Sequence, residues 1–358
     1  MGLEKNFKIG DRLIGNDQPT WFIADIASSH DGELDRAVEL IHLAAKAGAD
    51  CAKFQHFLAK DIVSDVGFSQ LGGKSSHQAK WKESVFEVFR KYETPRDWTK
   101  VLVQACRDAG IEYMTTPYDL AALDIMDKYV GAYKIGSGDI GWVSFLATVA
   151  KRKKPVFLAS GAADITDVKR SVAAILKHNA DLCLMQCNTN YTGEVSNFSY
   201  INLNVLSAYS AMFPDLVLGL SDHTPGHATV LGAIALGARV VEKHFTDDNS
   251  RPGPDHGFSM NPKSWREMVD RSRELELALG DGIKRVEANE IEAAIVQRRC
   301  LRIKSDLSAG HVLTANDLEA LRPKPDGSVE PWQMNVVIGK VLAKPMLQGE
   351  ALLLKDFL

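Results

Sequence analysis

Eight short β-rich runs, each followed by an amphipathic segment, fill the first 245 residues and predict an α/β chain built on a (β/α)8 TIM barrel. The competing open, doubly wound sheet has fewer strands and a glycine-rich first turn. Here the first turn reads SSHDGEL, with no G-x-G-x-x-G, so a dinucleotide fold is disfavoured. After Gly280 the alternation stops and a small module with its own internal echo follows, which predicts a second domain. A chain of 358 residues suits a large barrel with such an appendix.

The strands expected in order are WFIADIA (21–27), CAKFQHF (51–57), EYMTTPY (112–118), AYKIGSGD (132–139), PVFLASG (155–161), LCLMQCN (182–188), LVLGLSDH (216–223) and RVVEKHF (239–245). Between them, 35–48, 98–110 and 164–179 repeat apolar residues at three- and four-residue intervals, the helical period, and 264–280 follows the eighth strand. Residues 60–95 are too long for a plain loop. They read as an excursion at the second βα connection, with a short helix near WKESVFEVFRKY, on the side of the barrel where active sites lie. The barrel is therefore expected over 1–282, a charged helical linker over 283–297 and the small domain over 298–358. Within that last domain Gly310, Leu313 and Asp317 recur as Gly349, Leu352 and Asp356, each copy reading as strand, glycine turn, short strand and a helical turn opened by Asn or Asp. Some 60 residues make a small core, so this domain is expected to pack on its own barrel or on a partner's.

Composition excludes several function classes. Hydrophobic residues make up 45% and charged residues 25%, the balance of a soluble globular protein. Forty-two Lys and Arg against 46 Asp and Glu give a net charge of −4 with no long basic run, a poor match to phosphate-backbone binding. The opening MGLEKNFKIGD has no apolar h-region, lacks Ser or Thr at position 6 for myristoylation, and no window reaches the ~20 apolar residues of a membrane span. A cytoplasmic protein is the expectation. Five scattered cysteines fit reduced, buried thiols, with Cys187 a pocket-lining candidate; Cys183 and Cys187 find no second pair for a zinc site.

Chemistry should sit on the inward face of the strands near their C-terminal ends. Lys53 and Gln55 share one face of their strand, and Lys134 precedes a Gly-Ser-Gly turn that brings backbone N–H groups close to a ligand. Two inward ammonium groups beside strand-end serines call for an anionic ligand, because unpaired buried charge is costly. His223 and His244 end neighbouring strands at equivalent heights, which favours a shared metal site over two structural histidines. Asp255, in the loop RPGPDHG that follows the His244 strand, is a further candidate, whereas KRKK (151–154) reads as a solvated helix C-terminus.

ADIASSHDGELDRAVELIHLAAKAGADCAKFQ, YKIGSGD, GLSDHTPG, EKHFTDDNSRPGPDH and the C-terminal module together resemble the N-acetylneuraminate (sialic acid) synthase family, over nearly the whole chain. The resemblance implies a barrel followed by an antifreeze-like SAF domain. It further implies condensation of phosphoenolpyruvate with N-acetylmannosamine or a related N-acylated hexose, dependence on Mn2+ or Mg2+, and a domain-swapped homodimer. Residue by residue, Lys53, Thr116, Lys134, Ser137 and Ser221 match the family's phosphoenolpyruvate contacts, and His223 and His244 its metal ligands. Gln55, Tyr191 and Asp255 match positions near the amino sugar, and Arg322 the arginine that a partner chain delivers to the N-acyl group.

The chain departs from the family pattern in four places. Asp25 and Asp139 stand where the family has glutamates, and are carried over as catalytic candidates with Lys53 and Lys134. A family serine aligns with Ala159, leaving Ser160 beside it; and the usual C-T-N order becomes Cys187-Asn188-Thr189, so Asn188 and Thr189 share that substrate-binding expectation. Each Asp sets its carboxylate back by about one C–C bond, ~1.5 Å, and displacements of that size can cost ~100-fold in rate unless compensated. Paired replacement, with water or backbone shifts filling the gap, is the expected compensation, in an active enzyme for the usual or a variant sugar such as a legionaminic or pseudaminic precursor. Keto-deoxy sugar-acid synthases share the barrel chemistry but lack the SAF module. A catalytically silent sugar-binding barrel is the remaining alternative, supported only by the two Glu-to-Asp changes.

Overall fold

The computed structural model describes residues 6–71, 78 and 81–358. All eight expected barrel strands form: β3 (Trp21–Asp25), β4 (Cys51–His56), β5 (Glu112–Pro117), β6 (Tyr133–Ile135), β7 (Val156–Ala159), β8 (Leu182–Cys187), β9 (Val217–Asp222) and β10 (Ala238–His244). They pair in parallel and in sequence order, and β10 closes on β3. The helices Leu34–Ala47, Thr99–Ala109, Ile165–Leu176 and Pro262–Leu279 fall within two or three residues of their expected limits. The first two stop where Gly48 and Gly110 adopt φ of 96° and 72°, the left-handed conformation that Gly takes without penalty.

A two-stranded hairpin precedes the barrel, β1 (Asn6–Ile9) and β2 (Arg12–Gly15), and periodicity over so short a stretch did not reveal it. Its Phe7, Ile9 and Ile14 join the inward-facing Trp21, Ile23, Met114, Phe157, Met185 and Val240 in a separate core inside the barrel, with Phe7 edge-on to Phe157 at 5.6 Å between ring centroids. The larger core lies between the strands' outer faces and the helices. At the opposite end of the barrel, the excursion after β4 contains the short helices Ala59–Ile62, Asp65–Gln70 and Val85–Lys91; the last matches the expected WKESVFEVFRKY helix, while residues 72–77 and 79–80 of the excursion lie outside the described residues.

The chain divides into two compact units, Met1–Gly280 and Asp281–Leu358. The second contains the antiparallel pair β11 (Cys300–Ile303) and β12 (Leu318–Leu321) around a core of Leu301, Ile303, Leu313, Leu318, Val329, Val337, Leu342, Met346 and Leu352. Gly310 and Gly349 both turn with φ near 80°, as the echo requires. Asp317 and Asp356, however, close their turns rather than open them: their carboxylates accept the N–H of Thr314 and Leu353, both at 2.8 Å. Among the described residues no helix is long and apolar enough to cross a membrane, and all five cysteines are free and buried.

Candidate active site

Strand register gathers the site. His244 pairs with Asp25 across β10–β3, and Asp25 with Lys53 across β3–β4, so these three inward side chains stand side by side. Gln55, two residues on, again points inward, level with Thr116 on β5. Lys53 Nζ lies 2.6 Å from Asp25 Oδ2, Gln55 Nε2 donates to the same oxygen at 3.0 Å, and His244 Nε2 is 3.5 Å from it. Asp25 is thus gripped at its tip, and its Oδ1 accepts the N–H of Ala27 at 3.1 Å. Burial alone would raise this carboxyl, but Lys53, His244 and Lys134 outweigh it and hold it below the ordinary aspartate range.

Glu242 is the residue that sequence reasoning missed. It projects inward from β10, two positions before His244, and one oxygen accepts from Lys134 Nζ at 3.2 Å and Ser221 Oγ at 3.1 Å and lies 4.0 Å from Lys53 Nζ. Its other oxygen is buried without a hydrogen-bond partner. The alternation that selected His244 applies equally to Glu242 in the same EKHF, and was the available signal. The expectation that two buried lysines need an external anion is corrected accordingly: Asp25 and Glu242 already balance them. Burial would depress the Lys53 ammonium, yet Asp25 and Glu242 raise it, so it is charged. Each ammonium has three protons, and the neutralised cluster can still receive an anion by exchanging partners.

The imidazoles of His223 and His244 lie with ring centroids 5.4 Å apart, and Tyr191 packs on His223 at 4.4 Å. His223 Nδ1 donates to the Asn188 carbonyl at 3.0 Å, which fixes the ring; burial would lower its pKa, but contact with Cys187 raises it. Burial pushes His244 below the ordinary histidine value, only partly opposed by Asp25 and Asp255, so its ring is neutral at pH 7. Its buried Nδ1 makes no hydrogen bond and faces Asp255 Oδ2 at 3.8 Å, while Ser28 Oγ anchors that oxygen at 2.5 Å. Among the described residues no three His, Cys, Asp or Glu side chains form a ready-made metal cage. Two imidazoles with an orphaned ring nitrogen and a carboxylate nearby fit a divalent ion whose remaining ligands come from water and substrate.

These residues line a deep pocket of about 40 Å3 at the strand ends: Asp25, Lys53, Gln55, Thr116, Lys134, Ser137, Tyr191, Ser221, His223 and His244 all border it, as do Cys187 and Glu242. Gln55, Ser137, Tyr191 and His244 also border a wider outer cavity of about 290 Å3, to which Thr189 and Asp255 belong. Three expected side chains of the barrel are not brought to either space. Ser160 Oγ donates to the Met185 carbonyl at 2.9 Å and accepts from Tyr209 OH at 3.0 Å, because the residue after inward-facing Ala159 must face the helices. Asn188 turns its amide to the Tyr200 carbonyl at 3.3 Å and contributes only its backbone oxygen. Asp139 sits in the turn after β6 with one carboxylate oxygen buried and unpaired, and burial, partly offset by Lys134, lifts its pKa to about 6. Arg322 is exposed, in the second unit.

Residues 40–284 match the model of the NeuB family, and residues 298–358 that of the SAF domain. The chain is 31% identical to the N,N'-diacetyllegionaminic acid synthase of Campylobacter jejuni, over 92% of this chain and 98% of that protein. It is 30% identical to human N-acetylneuraminate-9-phosphate synthase, over 92% and 91% of the two chains. The crystal structure of the Bacillus subtilis spore coat polysaccharide biosynthesis protein SpsE superposes with a TM-score of 0.65 at 28% identity, covering 99% of both chains. With a closed barrel carrying this cluster of lysines, carboxylates and histidines, and a family match over more than half its length, the chain belongs to the NeuB family.

Proposed function

We propose that the chain condenses phosphoenolpyruvate with an N-acylated mannosamine-type aldehyde and water, releasing phosphate and a nonulosonic acid. The observation that carries this reading is the convergence of Lys53, Lys134, His223 and His244 on one pocket in a NeuB-family barrel. Phosphoenolpyruvate has a carboxylate and a phosphate, and Lys53 and Lys134 offer two compact cations backed by the hydroxyls of Thr116, Ser137 and Ser221. In the reaction, C3 of the enol bonds to the aldehyde carbon and a water oxygen bonds to C2. The C2–O bond then breaks and phosphate leaves. A divalent ion, Mn2+ or Mg2+, held by His223 and His244, supplies Lewis-acid polarisation of the aldehyde oxygen when bound.

The protein's own part is positioning and charge. Asp25, fixed by Lys53 and Gln55, keeps His244 turned into the pocket, and Ser28 holds Asp255 beside the same ring. The unpaired oxygen of Glu242 is placed to accept a proton from the water that adds at C2. Holding the reactants and stabilising charge supply most of the acceleration. Arg322 acts in a domain-swapped homodimer, reaching the sugar's N-acyl group in the partner's barrel. Phosphate release from phosphoenolpyruvate with Mn2+, measured with and without the amino sugar, tests the reading: release should depend on the sugar, and its absence across a panel of N-acylated hexoses would leave a silent barrel.

A further inference from the structure

Asp255 reaches His244 from a loop, and a loop by itself is a loose mount for a carboxylate. The bonds that fix it run through its neighbour. His256 is fully buried, and both of its ring nitrogens are engaged. Nε2 lies 3.0 Å from Asp31 Oδ1 in the turn after β3, and Nδ1 lies 2.7 Å from Thr246 Oγ1 just beyond β10. Asn249 Nδ2 donates to the His256 carbonyl at 2.8 Å, so the backbone is pinned as well as the ring. Asp31 is held in turn: its other oxygen is 3.1 Å from Arg36 Nε, and Arg36 grips Asp247 through both terminal nitrogens, at 2.9 and 2.6 Å. The turn that carries Asp31 also carries Ser28, whose Oγ and N–H donate to Asp255 Oδ2 at 2.5 and 3.1 Å. Two successive residues of the β10 loop therefore bind one turn of the β3 loop.

The ring has no room to adjust. A Cβ added at Gly253 would come within 2.7 Å of His256 Cδ2, and the engaged nitrogens keep the ring from turning away. His256 borders neither the deep pocket nor the outer cavity, so it acts at one remove. Lys53 and Lys134, by contrast, are held by Asp25 and Glu242 on the strands, through no bond that involves His256. Resting on the condensation proposed above, we propose that His256 is a positioning residue: by tying the β3 turn to the β10 loop it sets Asp255 against His244, and so governs the acceptor end of the site and not the phosphoenolpyruvate end.

Two amides separate its two bonds. His256→Gln places an N–H donor near the position of Nε2 and keeps the link to Asp31, whereas His256→Asn replaces Nδ1 and loses that link. His256→Asn should lower kcat/KM for an N-acylated hexose about 10- to 100-fold while the KM for phosphoenolpyruvate moves less than about 2-fold, and His256→Gln should recover most of the loss. Gly253→Ala, which pushes on the ring from its other side, should reproduce His256→Asn and carries the comparison should that variant not fold. In an Asp255→Asn background, His256→Asn should cost less than about 2-fold more, because its effect passes through Asp255. Equal losses for both substrates, no recovery by Gln, or full additivity with Asp255→Asn would overturn the proposal. If no acceptor releases phosphate, the condensation reading fails, and Mn2+ binding followed by electron paramagnetic resonance decides the positioning role. His256→Asn should then weaken Mn2+ about 10-fold in the wild-type background and not beside Asp255→Asn; an unchanged affinity, or no Mn2+ bound by the wild type, overturns it.

Discussion

Strands β9 and β10 carry two sets of buried charges back to back. On the outer face, Asp222 accepts from Lys243, from both Thr224 Oγ1 and Thr229 Oγ1 at 2.8 Å and from the Thr224 N–H at 3.2 Å, while Lys243 also donates to the Thr224 carbonyl at 2.6 Å. On the inner face, Glu242 keeps one oxygen unpaired and His244 one ring nitrogen. The two sets occupy successive positions of β10, and burial is similar: Lys243 is 1% exposed and Glu242 4%. The difference is completeness. A buried charge whose hydrogen-bonding capacity is filled serves the fold, and one left partly unfilled beside a cavity is available to a ligand.

That contrast can be broken or sharpened by substitution. Removing half of the closed pair with Asp222→Ala should cost about 3–5 kcal/mol of unfolding free energy, because Lys243 is left charged and unpaired; denaturant melts measure it. Lys53→Met should lower kcat/KM about 1,000-fold with a smaller loss of stability, since water and protons reach Asp25 through the pocket. Glu242→Gln should lower kcat about 100-fold if its free oxygen handles a proton, and a near-wild-type rate would reduce Glu242 to a countercharge. His56 belongs with the closed set: it shares hydrogens with Thr115 at 2.7 Å and Thr99 at 3.4 Å, and burial pushes its pKa down to about 3. Its folded value lies below the unfolded 6.5, so its contribution is complete above that pH and is lost as pH falls toward 3, by ~1.4 kcal/mol per unit. The unfolding free energy should drop over that window, and His56→Gln should flatten the drop. Ser160→Ala, which removes the hydroxyl bonded to the Met185 carbonyl and Tyr209, should change kcat/KM less than about 2-fold.

Alternation along single strands made most of this site readable from sequence, because Lys53, Gln55, Lys134 and His244 stand at inward positions that period two marks out. The same rule should have selected Glu242 and rejected Ser160, the neighbour of inward-facing Ala159. Ser160 is the sequence neighbour of the missing hydroxyl at Ala159, and in a strand adjacency means the opposite face. Asn188 lies past the end of β8, where no period applies, and its amide found a backbone carbonyl instead. The hairpin at the start escaped notice because four-residue strands carry too little pattern. The pairing of both lysines with carboxylates depends on contacts across strands far apart in sequence, which no local pattern encodes.

The hairpin also makes the barrel a cup with a sealed floor. With Phe7, Ile9 and Ile14 stoppering the lower opening, whatever reacts above them must cross a single lip in both directions.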